Sequence, residues 1–368
     1  MISFKASNGT FRQVLQKVEQ ALASKEEGFP YITKDSRWQR NPAGFWSWTS
    51  GFWVGLLWLA YRLTGETSLE RAARMELCKL ESLLDAEEAN FDLGFLFYPA
   101  AVLGYQITGE GLLRNIALCA ADRLVGFIHK EAGLIYCLKS QQTKDCVEST
   151  GYSIIDVMPN LELLWWASAE TGRSDYFDIA FRHTERALDL FLREDGSSFQ
   201  MVKFDLATGK ILARGALHGL NDATCWARGQ AWGIYGFALA ALRAGDARFA
   251  QATRQLSDYY LEKTPGDRVP YWDFEDPMSP DCVRDSSAAA IACAAWRCFC
   301  ADLPSLQGYY EEGAHLLETL SVDYLQPVSK DGILSHGCAY KKKGVGIDES
   351  TIWGDYYFLL ALLSKQIY

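Results

Sequence analysis

Between Asn221 and Phe237 the chain reads N-D-A-T-C-W-A-R-G-Q-A-W-G-I-Y-G-F, which sets Arg228 between Trp226 and Trp232 at the start of an apolar helix. A guanidinium is a planar fork that pairs bidentately with a carboxylate, and an indole offers a flat stacking face. Together they suit an acidic sugar. They equally suit a helical core in which the tryptophans pack and Arg228 pairs with a structural aspartate.

The rest of the chain decides what such a cluster can be attached to. With 368 residues, 49% of them hydrophobic and 13% aromatic, it can bury an extensive core, and no linker-like run divides it, so one domain spanning residues 1–368 is expected. The net charge of −10 disfavours nonspecific binding to nucleic acid or to an anionic membrane. An acidic substrate would therefore need its own arginine. The amino-terminal residues show no secretory pattern and no segment reads as a membrane span, which points to the cytoplasm. Cys78, Cys119, Cys225, Cys293 and Cys298 fall in helical apolar patterns, where free cysteine behaves as a small buried hydrophobe. Cys298 and Cys300 have the wrong spacing for a zinc knuckle, so neither a metal site nor a required disulfide is expected.

Periodicity of 3.6 residues predicts helices over 9–24, 50–64, 67–85, 95–107, 111–130, 153–171, 174–193, 226–244, 246–263, 284–301, 305–324 and 352–366. Helices apolar all round (Gly51 to Ala60, Ile154 to Ala167, Ala231 to Ala241) alternate with charged, amphipathic ones (Ser68 to Leu84, Tyr176 to Phe191, Asp246 to Leu261). The first kind belongs inside and the second outside. Six of each predict an all-α fold, an (α/α)6 barrel of six hairpins, in which paired glycines (Gly51 and Gly55, Gly94 and Gly104, Gly229 and Gly233) let inner backbones approach closely. The segments before the inner helices, Trp46 to Ser50, Asn90 to Asp92, Gly151 to Asp156, Leu217 to Gln230, Asp281 to Ser287 and Lys341 to Asp355, would open at one mouth. An irregular stretch at Ile135 to Thr150 and a hairpin at Ser197 to Leu212 would decorate it.

Six segments in one order resemble the unsaturated glucuronyl hydrolases, the family 88 glycoside hydrolases. They are W-T-S-G-F-W-V-G-L-L-W-L-A-Y from Trp48, F-D-L-G-F from Phe91, I-I-D-V-M-P-N-L-E-L-L-W-W-A from Ile154, W-A-R-G-Q-A-W-G-I-Y-G-F from Trp226, P-Y-W-D-F with R-D-S-S-A-A-A-I from Pro270 and Arg284, and D-E-S-T-I-W-G-D-Y-Y-F from Asp348. The related unsaturated rhamnogalacturonyl hydrolases tend toward R-G-N-G-W where this chain has R-G-Q-A-W from Arg228.

The resemblance implies action on oligosaccharides that lyases have left with a 4,5-unsaturated uronic acid at the non-reducing end. A general acid would protonate C4 of the vinyl ether, water would add to C5, and the hemiketal would open to release the remaining chain, with no cofactor. Asp156 matches the family's general acid/base and Asp92 its neighbouring carboxylate. Asp156 falls near a helix start, where the macrodipole favours ionisation, so a second carboxylate and desolvation by aromatic walls are needed to raise its pKa. Read in isolation, Asp156 would be a first-turn helix residue and Asp92 a loop cap.

Arg228 and Trp232 match family site positions, the first to hold a sugar carboxylate or hydroxyls and the second to stack on the ring. Trp48 fits the aromatic wall. His218 is either a sugar contact or a loop residue, Tyr340 with Lys341 to Lys343 reaches toward the mouth, and Gln230 is structural. Asp273, Arg284 and Asp285 are expected to form an ion-pair network, and Gly354 to Tyr356 to cap the last helix. Two departures bear on the walls. Gln200 stands where relatives have histidine, and between Leu134 and Thr150 the usual tryptophan is absent, Leu138 being nearest.

Two other classes compete. A sugar epimerase on the same scaffold needs paired histidines, and with His129, His183 and His315 in outer helices only His218 and His336 are candidates. A non-catalytic sugar-binding protein would keep the aromatic cleft without turnover. The sequence carries no signal for oligomeric state.

Overall fold

The computed structural model describes residues 8–24, 26–44, 47–87, 89–139 and 150–367. In chain order, α1 (Asn8–Ala23) is followed by a hairpin of β1 (Phe29–Lys34) and β2 (Arg37–Asn41), then α2 (Ser50–Thr64), α3 (Thr67–Glu81), α4 (Leu93–Phe97), α5 (Leu103–Thr108) and α6 (Gly111–Val125). Next come β3 (Ile128–His129), β4 (Leu134–Ile135), β5 (Leu138–Lys139), β6 (Thr150–Ile154), α7 (Val157–Asn160), α8 (Glu162–Thr171), α9 (Ser174–Phe191), β7 (Met201–Asp205) and β8 (Ile211–Gly215). The remaining elements are α10 (Ala227–Ala244), α11 (Ala247–Lys263), α12 (Ser286–Cys298), α13 (Gln307–Asp323), β9 (Gly337–Tyr340), β10 (Val345–Glu349) and α14 (Ile352–Ile367).

The division into inner and outer helices follows from side-chain chemistry. Every residue from Ser50 to Ala60 in α2 and from Ala227 to Ala241 in α10 is buried, as helices apolar all round must be. In α9 only one stripe, including Tyr176, Ala180, His183, Ala187 and Leu190, is buried, at the spacing of a single helix face. Contacts between the apolar helices run in a cycle: α2 packs on α4 and α5, α4 on α7, α7 and α8 on α10, α10 on α12, α12 on α14, and α14 returns to α2. The amphipathic helices lie outside them, α3 on α2, α6 on α4 and α8, α9 on α8, α11 on α10 and α13 on α12. The buried apolar side chains form one connected cluster.

Close approach explains two of the glycines. A Cβ on Gly51 would sit 2.2 Å from the Phe95 carbonyl oxygen, and one on Gly94 would sit 2.3 Å from the Asn160 carbonyl oxygen. At Gly55, Gly104, Gly229 and Gly233 the nearest atoms belong to side chains instead, so there the missing Cβ admits rings and methyls rather than backbone.

Several expectations are corrected. The chain is mostly helical but not purely so, because short antiparallel strands occur, including a four-stranded sheet of order β5-β6-β7-β8. The helix expected from residue 153 starts only at Val157, since Thr150–Ile154 pairs with Met201–Asp205. The run expected over 95–107 is interrupted at Tyr98–Val102, where Pro99 has no N–H to donate and Leu103 N–H reaches back five residues to Tyr98. The hairpin expected at Ser197 to Leu212 is present as β7 and β8, a few residues later. The β1–β2 hairpin turns on Asp35 and Ser36, both with positive φ as a two-residue turn demands, and its exposed Arg37 hid it from a hydrophobic count. Cys78 and Cys119 are exposed rather than buried, and His129 lies on a strand. Asp355 does not cap a helix, for its carboxylate accepts the N–H groups of Ile333 and Leu334. Trp46 and residues 140–149 of the irregular stretch lie outside the described residues, as does the side chain of Leu138.

Candidate active site

A cavity of about 130 Å³ is lined by Trp48, Phe91, Asp92, Phe95, Ile154, Asp156, His218, Trp226 and Arg228. All but His218 come from the segments just before α2, α4, α7 and α10 or from the first turns of α4 and α10, and His218 comes from the loop after β8. The starts of the inner helices thus converge, as the sequence pattern requires. A larger concavity of about 430 Å³ lies against α13, lined by residues that include His315, Glu318 and Asp323. In the smaller cavity two carboxyls with raised pKa values meet.

Asp92 and Asp156 each occupy the position before a helix, yet neither side chain caps it. Asp156 Oδ2 is buried without a hydrogen-bond partner. Both carboxyls are only half-buried by accessible area but are closely surrounded by protein, and desolvation dominates their titration. Burial lifts Asp156 to about 6, against the opposing pull of the Arg228 charge, its own amide and the Trp232 indole. Burial also lifts Asp92 well above the usual carboxylate range, and the facing Asp156 adds to that rise. Both carboxyls are raised, and repulsion between them is mutual, so they titrate as one coupled unit. Physically, the pair keeps a proton near neutral pH.

Asn160 ties the two carboxyl-bearing segments together. Its Nδ2 donates to the Asp156 carbonyl at 2.9 Å, and its Oδ1 accepts the Phe95 N–H at 2.6 Å. Asn160 is absent from the residues expected at the site, and its one sequence signal is a lone amide in a largely apolar helix.

Trp48 forms one wall, its ring 5.4 Å from Phe95 and 5.3 Å from Trp353. Arg228 reaches the cavity but is 3% exposed, not on a rim. Its Nη1 donates to Asp285 Oδ2 at 3.0 Å and to the Cys338 carbonyl, its Nη2 donates to the Ala339 carbonyl, and its plane lies between Trp226 and Trp353. These three bonds use three of the five guanidinium N–H donors, and Nε has no partner.

Four further expectations are corrected. Trp232 is fully buried, packed 5.1 Å from Phe95 and 5.4 Å from Tyr357, so neither face is free to stack on a sugar. Its Nε1 has no hydrogen-bond partner, close enough to Asp156 to lower that carboxyl but outside bonding geometry. Gln200 is buried behind His218 instead of lining the cavity. Tyr340 packs its ring 4.4 Å from His218 and does not line the cavity itself. The expected network divides: Arg284 pairs with Asp267, Asp285 with Arg228, and Asp273 accepts from Leu220 and Thr224. Gln230 is structural, donating to the carbonyls of Gly196 and Leu256. Among the described residues no cluster of three His, Cys, Asp or Glu could hold a metal ion, and no helix is long and apolar enough to cross a membrane.

No family model matches the chain. It is 34% identical over 327 residues to the unsaturated glucuronyl hydrolase of Bacillus sp. (strain GL1), covering 87% of this chain and 86% of that one. It is 33% identical over 374 residues to the unsaturated chondroitin disaccharide hydrolase of Streptococcus pneumoniae, covering 96% and 92%. The crystal structure of the unsaturated glucuronyl hydrolase from Bacillus sp. GL1 superposes with a TM-score of 0.90 at 31% identity, over 97% of this chain and 96% of that one. The order of motifs, the fold and the likeness along nearly the whole length agree, and the chain belongs to the unsaturated glucuronyl hydrolases, family 88 of the glycoside hydrolases.

Proposed function

We propose that this chain, as one catalytic domain built on an (α/α)6 barrel, hydrates the 4,5-unsaturated uronic acid at the non-reducing end of lyase-generated oligosaccharides, with Asp156 as general acid/base and Asp92 as its proton-holding partner. The observation that carries this reading is the meeting of two raised carboxyls in an aromatic-walled cavity. The cycle of inner helices supports the barrel. A carboxyl with a pKa of about 6 is matched to acid–base work near neutral pH. It gives its proton to C4, leaving the positive charge on C5 and the ring oxygen. Water then attacks C5 and returns a proton to the carboxylate. The hemiketal opens and the rest of the oligosaccharide leaves.

Relatives named as chondroitin disaccharide hydrolases make unsaturated chondroitin disaccharides the first substrates to try. The free cysteines among the described residues suit a reducing compartment, and we place the reaction in the cytoplasm. The epimerase reading lacks its bases: His336 is exposed and paired with Asp348, and His218 is held as described below. The test is a panel of unsaturated disaccharides from several lyases, followed by loss of the conjugated-alkene absorbance. Wild type should consume at least one, and Asp156→Asn should not. A wild-type protein inert toward all of them, or an Asp156→Asn variant with wild-type turnover, would overturn the proposal.

A further inference from the structure

Gln200 is 2% exposed and makes three side-chain hydrogen bonds, all to one short loop. Its Oε1 lies 2.7 Å from the backbone nitrogen of Leu217 and 2.7 Å from that of His218. Backbone N–H groups only donate, so the atom facing them must be the amide oxygen, and the oxygen and nitrogen of Gln200 cannot be exchanged. Nε2 is then the atom 2.5 Å from His218 Nδ1. An amide nitrogen also only donates. Nδ1 must present its lone pair, and a neutral imidazole keeps its single proton on Nε2.

The ring cannot turn away from this arrangement. It stacks on Trp226 at 4.8 Å and 22°, and Tyr340 packs at 4.4 Å. The charged groups near it from neighbouring elements are Arg228 on α10 and Lys342 and Lys343 after β9, all cations that oppose its protonation, and across the cavity stand Asp92 and Asp156. Burial and those cations push its pKa down to about 3. Gln200 is itself anchored to the acid: its carbonyl accepts the N–H of Ile155, the residue before Asp156, and its N–H donates to Gly215. His218 Nε2 makes no hydrogen bond among the described residues, although the residue lines the cavity.

We propose that Gln200 is a positioning residue that fixes His218 in its Nε2–H tautomer, so that the imidazole offers the bound sugar one uncharged hydrogen-bond donor and cannot serve as a base. The partner is an acceptor oxygen, hydroxyl or carboxylate, of the unsaturated uronide, and this identification rests on the functional reading above. A neutral donor adds selectivity without adding charge beside the carboxyl pair. A substrate lacking an oxygen at that place loses one hydrogen bond and leaves a buried donor unpaired.

The test separates the tautomer from the substrate. In the full-length 15N-labelled protein, two-bond 1H–15N correlation spectra report which imidazole nitrogen carries the proton, with His218→Asn identifying the signals. Wild type should show the Nε2–H pattern, unchanged from about pH 5 to pH 8, with or without ligand. Gln200→Glu is nearly isosteric and keeps an acceptor for the two backbone N–H groups, but it sets a second acceptor against Nδ1. Where that carboxyl is ionised, Nδ1 must take a proton from solvent or from Nε2, and His218 should begin to titrate in that window. For the most rapidly hydrolysed disaccharide, Gln200→Leu should raise KM about tenfold, as expected for one lost hydrogen bond, and by more than it lowers kcat. A wild-type His218 protonated on Nδ1, one that titrates between about pH 5 and 8, or an unchanged tautomer in Gln200→Glu at a pH where the carboxyl 13C shift reports an ionised glutamate would each overturn the proposal. An unchanged KM in a folded Gln200→Leu variant would overturn the donor role. Because the spectra need no turnover, a protein with the Nε2–H pattern but no activity would sink the functional reading while upholding the tautomer lock.

Discussion

Arg228 and Asp285 form a 3.0 Å ion pair in which the side chains are 4% and 0% exposed. The same carboxylate caps α12, accepting the N–H groups of Ser287 and Ala288, and accepts the N–H of Cys338. One aspartate therefore holds the cavity arginine, a helix start and a strand. Replacing it strands a buried guanidinium, which costs about 3–5 kcal/mol. Asp285→Ala should show a loss of that size in urea unfolding, and Asp285→Asn, which keeps an acceptor for the cap, should fall between it and wild type. A loss below about 1 kcal/mol for the alanine variant would mean that the pair is not held as described.

Asp156→Asn should weaken catalysis and strengthen the fold together. Turnover should fall by about 10²–10⁴-fold while substrate affinity, read by calorimetry, is retained. The carboxyl titrates near 3.8 unfolded and at about 6 folded, so its protonated form is favoured in the native state. That contribution is full below about pH 4 and is lost as pH rises through about 6, leaving roughly 3 kcal/mol of strain at neutral pH. The asparagine variant should melt above wild type at pH 8 and close to it at pH 4.

Two glycine substitutions should have opposite consequences. A Cβ on Gly94 meets the Asn160 backbone, whereas one on Gly111, at the start of α6, meets nothing within 4 Å. Gly94→Ala should lose at least about 1–3 kcal/mol, because helix backbones must separate. Gly111→Ala should leave the melting temperature unchanged or slightly raised.

His183 is fully buried, with Nδ1 accepting the Ile135 N–H and Nε2 unpartnered, and burial holds its pKa down to about 3. A depressed histidine contributes stability above its unfolded value of about 6.5, and that stability is lost as pH falls toward 3. Because the raised carboxyl of Asp156 acts in the opposite sense, the measure is the difference between variants: from pH 7 to pH 4.5 the urea midpoint of wild type should fall relative to that of His183→Asn, which keeps an acceptor near Nδ1. An unchanged difference would remove His183 from the account.

What the sequence discloses, and what it withholds, follows from how far each feature depends on distant residues. Asp92, Asp156 and Trp48 were legible because each stands just before an apolar helix, and helix starts in this arrangement share one end. The directions of Gln200 and Trp232 were not legible, since a position in a motif does not say whether a side chain faces the cavity or packs behind it. Arg228 shows both sides of this. Its place at the start of α10 is local, but the carbonyls of Cys338 and Ala339 that occupy it lie 110 and 111 residues away on a strand too short to register as a pattern. The start of α7 was misplaced for the same reason, because Ser153 and Ile154 join a sheet through partners in β7.

The return of α14 to α2, with the hold of β9 on Arg228, also sets a timetable for synthesis. A ribosome that has released residues 48 to 228 has delivered every lining group of the cavity, yet the strand that anchors the arginine and the helix that completes the cycle are still unmade. Until they emerge, α2 exposes an apolar flank that the finished protein covers. Nascent chains should need protection from aggregation until nearly the last turn of α14 is out, and truncation after residue 336 should yield a chain that carries the acid residues without a working pocket.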